Sequence, residues 1–322
     1  MPESRITREF VAELPKTDLH VHLDGSLRIP TLIELARASN VELPSYTEAG
    51  LRETVYKERY TSLGDYLKGF RYTVAVMQTE AALERIAAEL AEDNQAEGVR
   101  YLEVRFAPQL HVRPGLDAIQ VLAAVDRGLR RARDAYNRKP EIVAGKEPPF
   151  EYGIISSALR MFGPGFSQHY DTLLAAHPYT RPKDIYAIAS LDAARAAVMA
   201  RDSLGLQVVG FDLAGEEAGY PAGTHKEAFE YAHVANAAVA TNHGVEHNHA
   251  LDPVMQECRR ICGIHFANCF RRNDLALSRA VGFRIQLRKA YAPASHGGSE
   301  IGHAEAHAVI LASAKDAALH AV

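Results

Sequence analysis

The chain has 322 residues, of which 47% are hydrophobic and 24% charged, and a formal net charge of −4. This composition excludes a disordered or fibrous chain and is typical of a globular protein. The length is sufficient for one large domain, since a (β/α)₈ barrel has about 250 residues before insertions. Lysine and arginine are mixed with acidic residues and form no basic stripe, so we expect a small-molecule partner and no nucleic acid.

The N-terminal segment and the cysteines bear on the cellular location. Charged residues interrupt the first thirty positions, which therefore lack the apolar core of a secretory signal, and no run of about 18 apolar residues occurs anywhere. Cys258, Cys262 and Cys269 cannot all pair with one another, so no disulfide framework is indicated. We expect a cytoplasmic protein with no membrane partner, and the oligomeric state stays open.

The first strand-like run carries the pair His20 and His22. Residues two apart on a strand share a face, so both imidazoles can reach one ion. Asp24-Gly25-Ser26 is typical of the start of a loop, which puts the pair at the carboxyl end of the strand, where parallel barrels keep their chemistry. The run predicts a two-point metal site, and the alternative is a pair of structural histidines on a half-buried strand.

The following segments alternate between helical patterns and short β-like runs, which is typical of βα units and a parallel sheet. Proline near the first turn indicates a helix that starts at Ile29, and apolar residues at helical spacing indicate another from Ala81 to Glu97. The remaining predicted elements are strands over 99–106, 152–158 and 208–215, a helix over about 185–204, and a solvent-facing loop over 137–149.

Three separated blocks resemble the adenosine deaminase family, whose members are zinc enzymes built on a (β/α)₈ barrel. The blocks are LPKTDLHVHLDGS at 14–26, EGVRYLEVRFAPQLH at 97–111 and VGFDLAGEE at 209–217. The resemblance implies an α/β fold, a (β/α)₈ TIM barrel with an incomplete or irregular C-terminal quarter. It also implies one metal-dependent hydrolase domain over 1–322, with a family-like part at 14–233 and a divergent tail at 234–322.

The resemblance implies a zinc site with one Zn²⁺ per chain. His20 and His22 match the first two zinc ligands of the family. The run His243-Gly244-Val245-Glu246 is similar to the family motif H-A-G-E, which implies His243 as third ligand and Glu246 as the catalytic acid.

The resemblance also implies a purine nucleoside as substrate. Asp24 matches the position that holds the ribose, and Gly215 the position where the backbone approaches the purine. The implied reaction is hydrolytic removal of the amino group of adenosine, or of a close aminopurine nucleoside, to give inosine and ammonia. Zinc lowers the pKa of a bound water from about 15.7 to roughly 7, and Glu246 would protonate the purine ring.

The last quarter departs from the family pattern. Nine of the fifteen histidines lie from His233 onward, Ile301-Gly302-His303 is a counterpart of the family's Gly-His pair, and no Asp-Asp pair follows. An alternative is therefore a catalytically inactive relative without a complete metal site. Another is a different metal-dependent amidohydrolase on the same barrel, which the block at 212–217 argues against.

Other metal-like spacings occur in the same segment. His303-Ala304-Glu305 matches the H-x-E of cytidine-type deaminases, but the P-C-x-x-C run of that family is absent from the sequence. Cys258, Cys262 and His265 could gather a metal by spacing, and we interpret them as structural residues of a helix.

Overall fold

The structure, a computed structural model, describes residues 12–216, 219–235, 238–239, 283–288 and 307–312. The chain divides into two compact units, residues 18–245 in one and residues 1–17 with 246–322 in the other.

A five-stranded sheet organises the first two thirds of the chain. Its strands are β1 (Lys16–His22), β2 (Val99–Phe106), β3 (Glu151–Leu159), β4 (Val208–Ala214) and β5 (Ala238–Val239), and they follow one another across the sheet in chain order. The pairings of β2 with β3, β3 with β4 and β4 with β5 are parallel. Parallel neighbours need a crossover connection, which helices supply. This is the winding that the alternating sequence pattern predicts.

Ten helices lie between these strands in the described part of the chain. They are α1 (Ile29–Ser39), α2 (Glu48–Thr54), α3 (Leu63–Leu67), α4 (Phe70–Val76), α5 (Glu80–Ala96), α6 (Ala118–Asn137), α7 (Pro140–Val143), α8 (Gln168–Ala176), α9 (Pro182–Leu204) and α10 (Lys226–Val234). Short 3₁₀ turns lie at Pro108–Leu110 and Ala222–His225. None of the helices described is long and apolar enough to cross a membrane.

The strand β2 separates an apolar face from a polar one. Leu102, Val104 and Phe106 alternate along it and are buried in the same hydrophobic cluster as Leu83 of α5. Because side chains alternate along a strand, Arg105 lies on the opposite face. The apolar face anchors the sheet to its helices and leaves the other face free to carry polar groups.

The helices α5 and α6 approach each other closely at Gly128. A Cβ atom there would clash with the carbonyl oxygen of Glu84 and lie 2.9 Å from the Cβ of Ala87. Glycine permits this backbone contact because it has no side chain.

Most of the predicted elements are confirmed. The strand predicted over 99–106 is β2, and the helix predicted over Ala81 to Glu97 is α5, which lies one residue earlier at each end. The helix predicted from about 185 starts earlier, at Pro182, because proline suits the first turn of a helix.

The predicted loop over 137–149 is wrong in one part. Pro140–Val143 forms the short helix α7, in which Pro140 occupies the first turn and Ile142 is buried. The proline that suggested a loop is equally compatible with a helix start, because its missing N–H is not needed there.

In the second unit, β6 (Phe283–Arg288) pairs with β7 (His307–Ala312). The pairing is antiparallel, from Phe283 opposite Ala312 to Arg288 opposite His307. An antiparallel pair does not continue a series of parallel βα units, in line with the irregular C-terminal quarter that the sequence predicts.

Candidate metal-binding and substrate site

The two histidines of β1 lie together at the end of the strand. The ring centroids of His20 and His22 are 5.3 Å apart, with the ring planes inclined by 41°. Val21 between them is buried, while both histidines are half-buried, as the alternation of a strand requires. The expected arrangement of two imidazoles on one face is therefore present.

The separation of the rings fits one zinc ion. Two imidazoles on a tetrahedral zinc, each with a Zn–N distance of about 2.0–2.1 Å, have ring centres roughly 5 Å apart. The measured separation of His20 and His22 agrees with this value. These two residues could thus hold a zinc ion through neutral ring nitrogens, with further ligands supplied from elsewhere.

Asp24 follows the pair and is buried. Its Oδ1 lies 3.9 Å from Nδ1 of His22 and has no hydrogen-bond partner within the described residues. Burial raises the pKa of Asp24 to about 7, although hydrogen bonds from the backbone of Asp24 and Gly25 act in the opposite direction. The turn is fixed because the hydroxyl of Ser26 donates a hydrogen bond to the carbonyl oxygen of His22 at 2.6 Å. Asp24 therefore places a buried carboxylate oxygen, Oδ1, next to His22.

Gly215 follows directly after β4. Its φ is +106°, a left-handed conformation that favours glycine. The nearest atoms to a Cβ added here would be the backbone nitrogen of Arg160 at 3.8 Å and its Cβ at 3.9 Å. The positive φ, and not crowding, is thus the reason for glycine at this position. Because glycine has no side chain, the backbone of Gly215 is left open.

His243 and Glu246 lie outside the described residues, as do Cys258, Cys262, Cys269 and the motif around His303. Where the chain is described, no group of three His, Cys, Asp or Glu residues could hold a metal. The third ligand and the acid therefore remain predictions.

The sequence interpretation missed a buried ion pair beside the histidines. Nη1 of Arg105 donates to Oδ2 of Asp212 at 2.6 Å, and the two side chains are 5% and 0% exposed. Nη2 of Arg105 donates to the carbonyl oxygen of Leu19 at 3.0 Å. Burial raises the pKa of Asp212, and the positive charge of Arg105 opposes this rise.

A sequence signal for this pair exists. Asp212 interrupts an apolar run, and Arg105 stands between the apolar residues Val104 and Phe106. Charged residues are almost never fully buried unless they are paired. Two opposite charges in buried strands of the same sheet are therefore candidates for partners.

The comparison with protein families identifies residues 15–145 as an adenosine deaminase domain. An adenosine deaminase of Vibrio atlanticus is 39% identical over 209 residues, which are 65% of this chain and 51% of that protein. The chain spans about half the length of the curated relatives it matches.

Two solved structures are similar in fold. One is the N6-methyl-AMP deaminase from Arabidopsis thaliana, with a TM-score of 0.53, 23% identity and coverage of 79% of this chain and 63% of that one. The other is an amidohydrolase from Burkholderia ambifaria with bound zinc, with a TM-score of 0.52, 21% identity and coverage of 74% and 56%. These likenesses confirm the predicted α/β barrel class.

The family match extends over both β1 and β2 and therefore contains the histidine pair as well as Arg105. Over residues 15–145 the chain matches the adenosine deaminase family.

Proposed function

We propose that the chain is a zinc-dependent hydrolase that converts adenosine, or a close aminopurine nucleoside, to inosine and ammonia. The observation that carries the proposal is the pair of His20 and His22 rings, 5.3 Å apart at the end of β1. The family match over residues 15–145 supports it, because it contains this strand.

Each predicted site residue would have one role in the proposed deamination. His20 and His22 hold one Zn²⁺ per chain, with His243 as third ligand. Zinc, when bound, supplies a Lewis acid that lowers the pKa of water from about 15.7 to roughly 7. Glu246 gives a proton to the purine ring, and general acid help of this kind is typically worth about 10² to 10⁴ in rate.

The substrate would be held from two sides. The buried Oδ1 of Asp24 has no hydrogen-bond partner in the described part of the chain, so it is available to a ribose hydroxyl. With a pKa of about 7, the carboxyl can accept such a hydrogen bond or, when protonated, donate one. The open backbone at Gly215 allows the purine ring to approach closely.

The choice of aminopurine is open to a direct test. The relative from Vibrio atlanticus is named for adenosine, whereas the Arabidopsis structure is named for N6-methyl-AMP. Assays with adenosine, deoxyadenosine, adenine and N6-methyl-AMP separate these substrates, and we expect the highest kcat/KM for adenosine.

The test of the proposal is zinc content together with inosine formation, in the native chain and in His20→Ala. We expect about one zinc per chain and turnover that His20→Ala abolishes. A matched control is His177→Ala at the end of α8, which should retain both zinc and activity.

A second candidate is an inactive relative that retains the purine site. It is favoured by the absence of an Asp-Asp pair in the sequence after His233. A folded chain that binds adenosine and releases no inosine, with or without added zinc, would support this alternative and reject the enzyme.

A further inference from the structure

Arg105 touches the backbone on both sides of the histidine pair. Its Nη2 donates to the carbonyl oxygen of Leu19, directly before His20, at 3.0 Å. Its own carbonyl oxygen accepts a hydrogen bond from the N–H of Leu23, directly after His22, also at 3.0 Å. One residue of β2 therefore fixes the segment from Leu19 to Leu23 at its two ends.

The guanidinium is itself held in place. Nη1 binds Oδ2 of Asp212 on β4 at 2.6 Å, and the pair is almost completely buried. A charge-assisted hydrogen bond of this length is stronger than one between neutral groups, and a buried pair is screened little by salt. The position of Nη2 against Leu19 is thus set by a contact with a different strand.

Stability alone is a weak explanation for this pair. Replacing a buried ion pair with apolar residues of similar volume is often neutral or even stabilising, because two charges no longer have to be desolvated. Arginine offers what an apolar residue lacks, namely a rigid fork whose separate N–H groups reach a carboxylate and a carbonyl at once. The use of both groups of the fork at Arg105 indicates a role in geometry.

We propose that Arg105 is a positioning residue that presets the His20 and His22 rings for binding one zinc ion, with Asp212 as its anchor. The inference rests on the proposed zinc-dependent function. Groups that orient metal ligands without touching the metal typically alter metal affinity by about 10-fold to 100-fold when mutated. Arg105 acts through the backbone of the ligand segment, so its effect belongs to affinity and coordination geometry.

The central variant is Arg105→Lys. Lysine keeps the positive charge but has no fork, so it can satisfy Asp212 or the carbonyl of Leu19 and not both in the same way. We expect the zinc dissociation constant, measured by competition with a chelator, to rise by about 10-fold or more. We also expect the visible absorption spectrum of the cobalt-substituted protein to change, and excess zinc to restore turnover.

The matched control is Arg100→Lys on the same strand. Arg100 also binds a carboxylate, that of Glu147 at 3.3 Å, and donates to backbone carbonyls, but those of Gln95 and Val99. Its substitution should leave the zinc affinity and the cobalt spectrum unchanged.

A double variant, Arg105→Met with Asp212→Leu, covers the case in which the single variant does not fold. Its apolar pair leaves no lone buried charge, so we expect a folded chain with weakened zinc binding. Native zinc affinity in the folded double variant, or in folded Arg105→Lys, would overturn the positioning role alone. A native chain that binds no zinc would overturn the proposed function and, with it, this inference.

Discussion

The buried side chain of His111 makes the stability of the folded chain depend on pH. His111 follows the 3₁₀ turn after β2 and is fully buried, with its ring 5.9 Å from that of Phe106. Neither ring nitrogen has a hydrogen-bond partner of good geometry in the described chain. Burial lowers the pKa of His111 to about 4, and a looser contact with the backbone of Met77 offsets only part of this.

The pH dependence of stability follows from this histidine. Its folded-state pKa is about 4 and its ordinary value 6.5, so acid protonates the unfolded chain first and stability is lost as the pH falls between these values. We expect His111→Leu to remove about 2 kcal/mol of the difference in the free energy of unfolding between pH 7 and pH 5. Urea unfolding at both pH values measures it. An identical difference in the native chain and the variant would contradict the assignment.

The residues of the site differ in how far the sequence predicts them. His20 and His22 are two positions apart on one strand, so their spacing alone predicts that the rings lie together on one face. The contact of Arg105 with Asp212 joins residues 107 positions apart. Such a contact depends on the order of strands in the sheet, which no local pattern encodes.

Among the secondary-structure elements, local patterns succeeded where one signal dominates. The strand β2 has apolar residues at every second position from Leu102 to Phe106, and α5 has both a capping threonine, Thr79, and an apolar face. The prediction of a loop over 137–149 failed in part because proline is compatible with both a loop and a helix start. The antiparallel pair of β6 and β7 has no counterpart in the predicted elements, since pairing between distant segments depends on tertiary contacts.

The packing of α5 on α6 gives a prediction at this scale. In an open helix position, alanine is more favourable than glycine by roughly 0.5–1 kcal/mol. At Gly128 the sign reverses, because a Cβ would clash with the carbonyl oxygen of Glu84. We expect Gly128→Ala to destabilise the chain by about 1–3 kcal/mol, as overpacking does.

Gly64 in α3 is the control for this substitution. Among the described residues, a Cβ there would contact only the hydroxyl of Ser62, at 3.9 Å. Gly64→Ala should therefore be neutral or slightly stabilising. Chemical denaturation of both variants gives the two signs, and equal effects would show that the clash at Gly128 is relieved by a small movement of the helices.

For the whole molecule, the proposed zinc site connects distant parts of the chain. His20 and His22 lie on β1, near the start, whereas the predicted ligand His243 and the predicted acid Glu246 come after β5. A metal that binds the folded chain and not the unfolded one stabilises it by mass action. Zinc bound through residues so far apart in sequence would also close a long loop of the chain.

The predicted consequence is a zinc-dependent free energy of unfolding. At a free zinc concentration of 100 times the dissociation constant, we expect a gain of about 2.7 kcal/mol over the chelator-treated chain. His20→Ala and His243→Ala should each abolish most of this gain. His20 is half-buried and contributes little to the core, so His20→Ala should leave the stability of the metal-free chain nearly unchanged. If His20→Ala removes the gain and His243→Ala does not, the third ligand is a different residue. His20 and His22 would then still form the metal site, and the assignment of Glu246 as the acid would have to be given up, since it depends on the same motif.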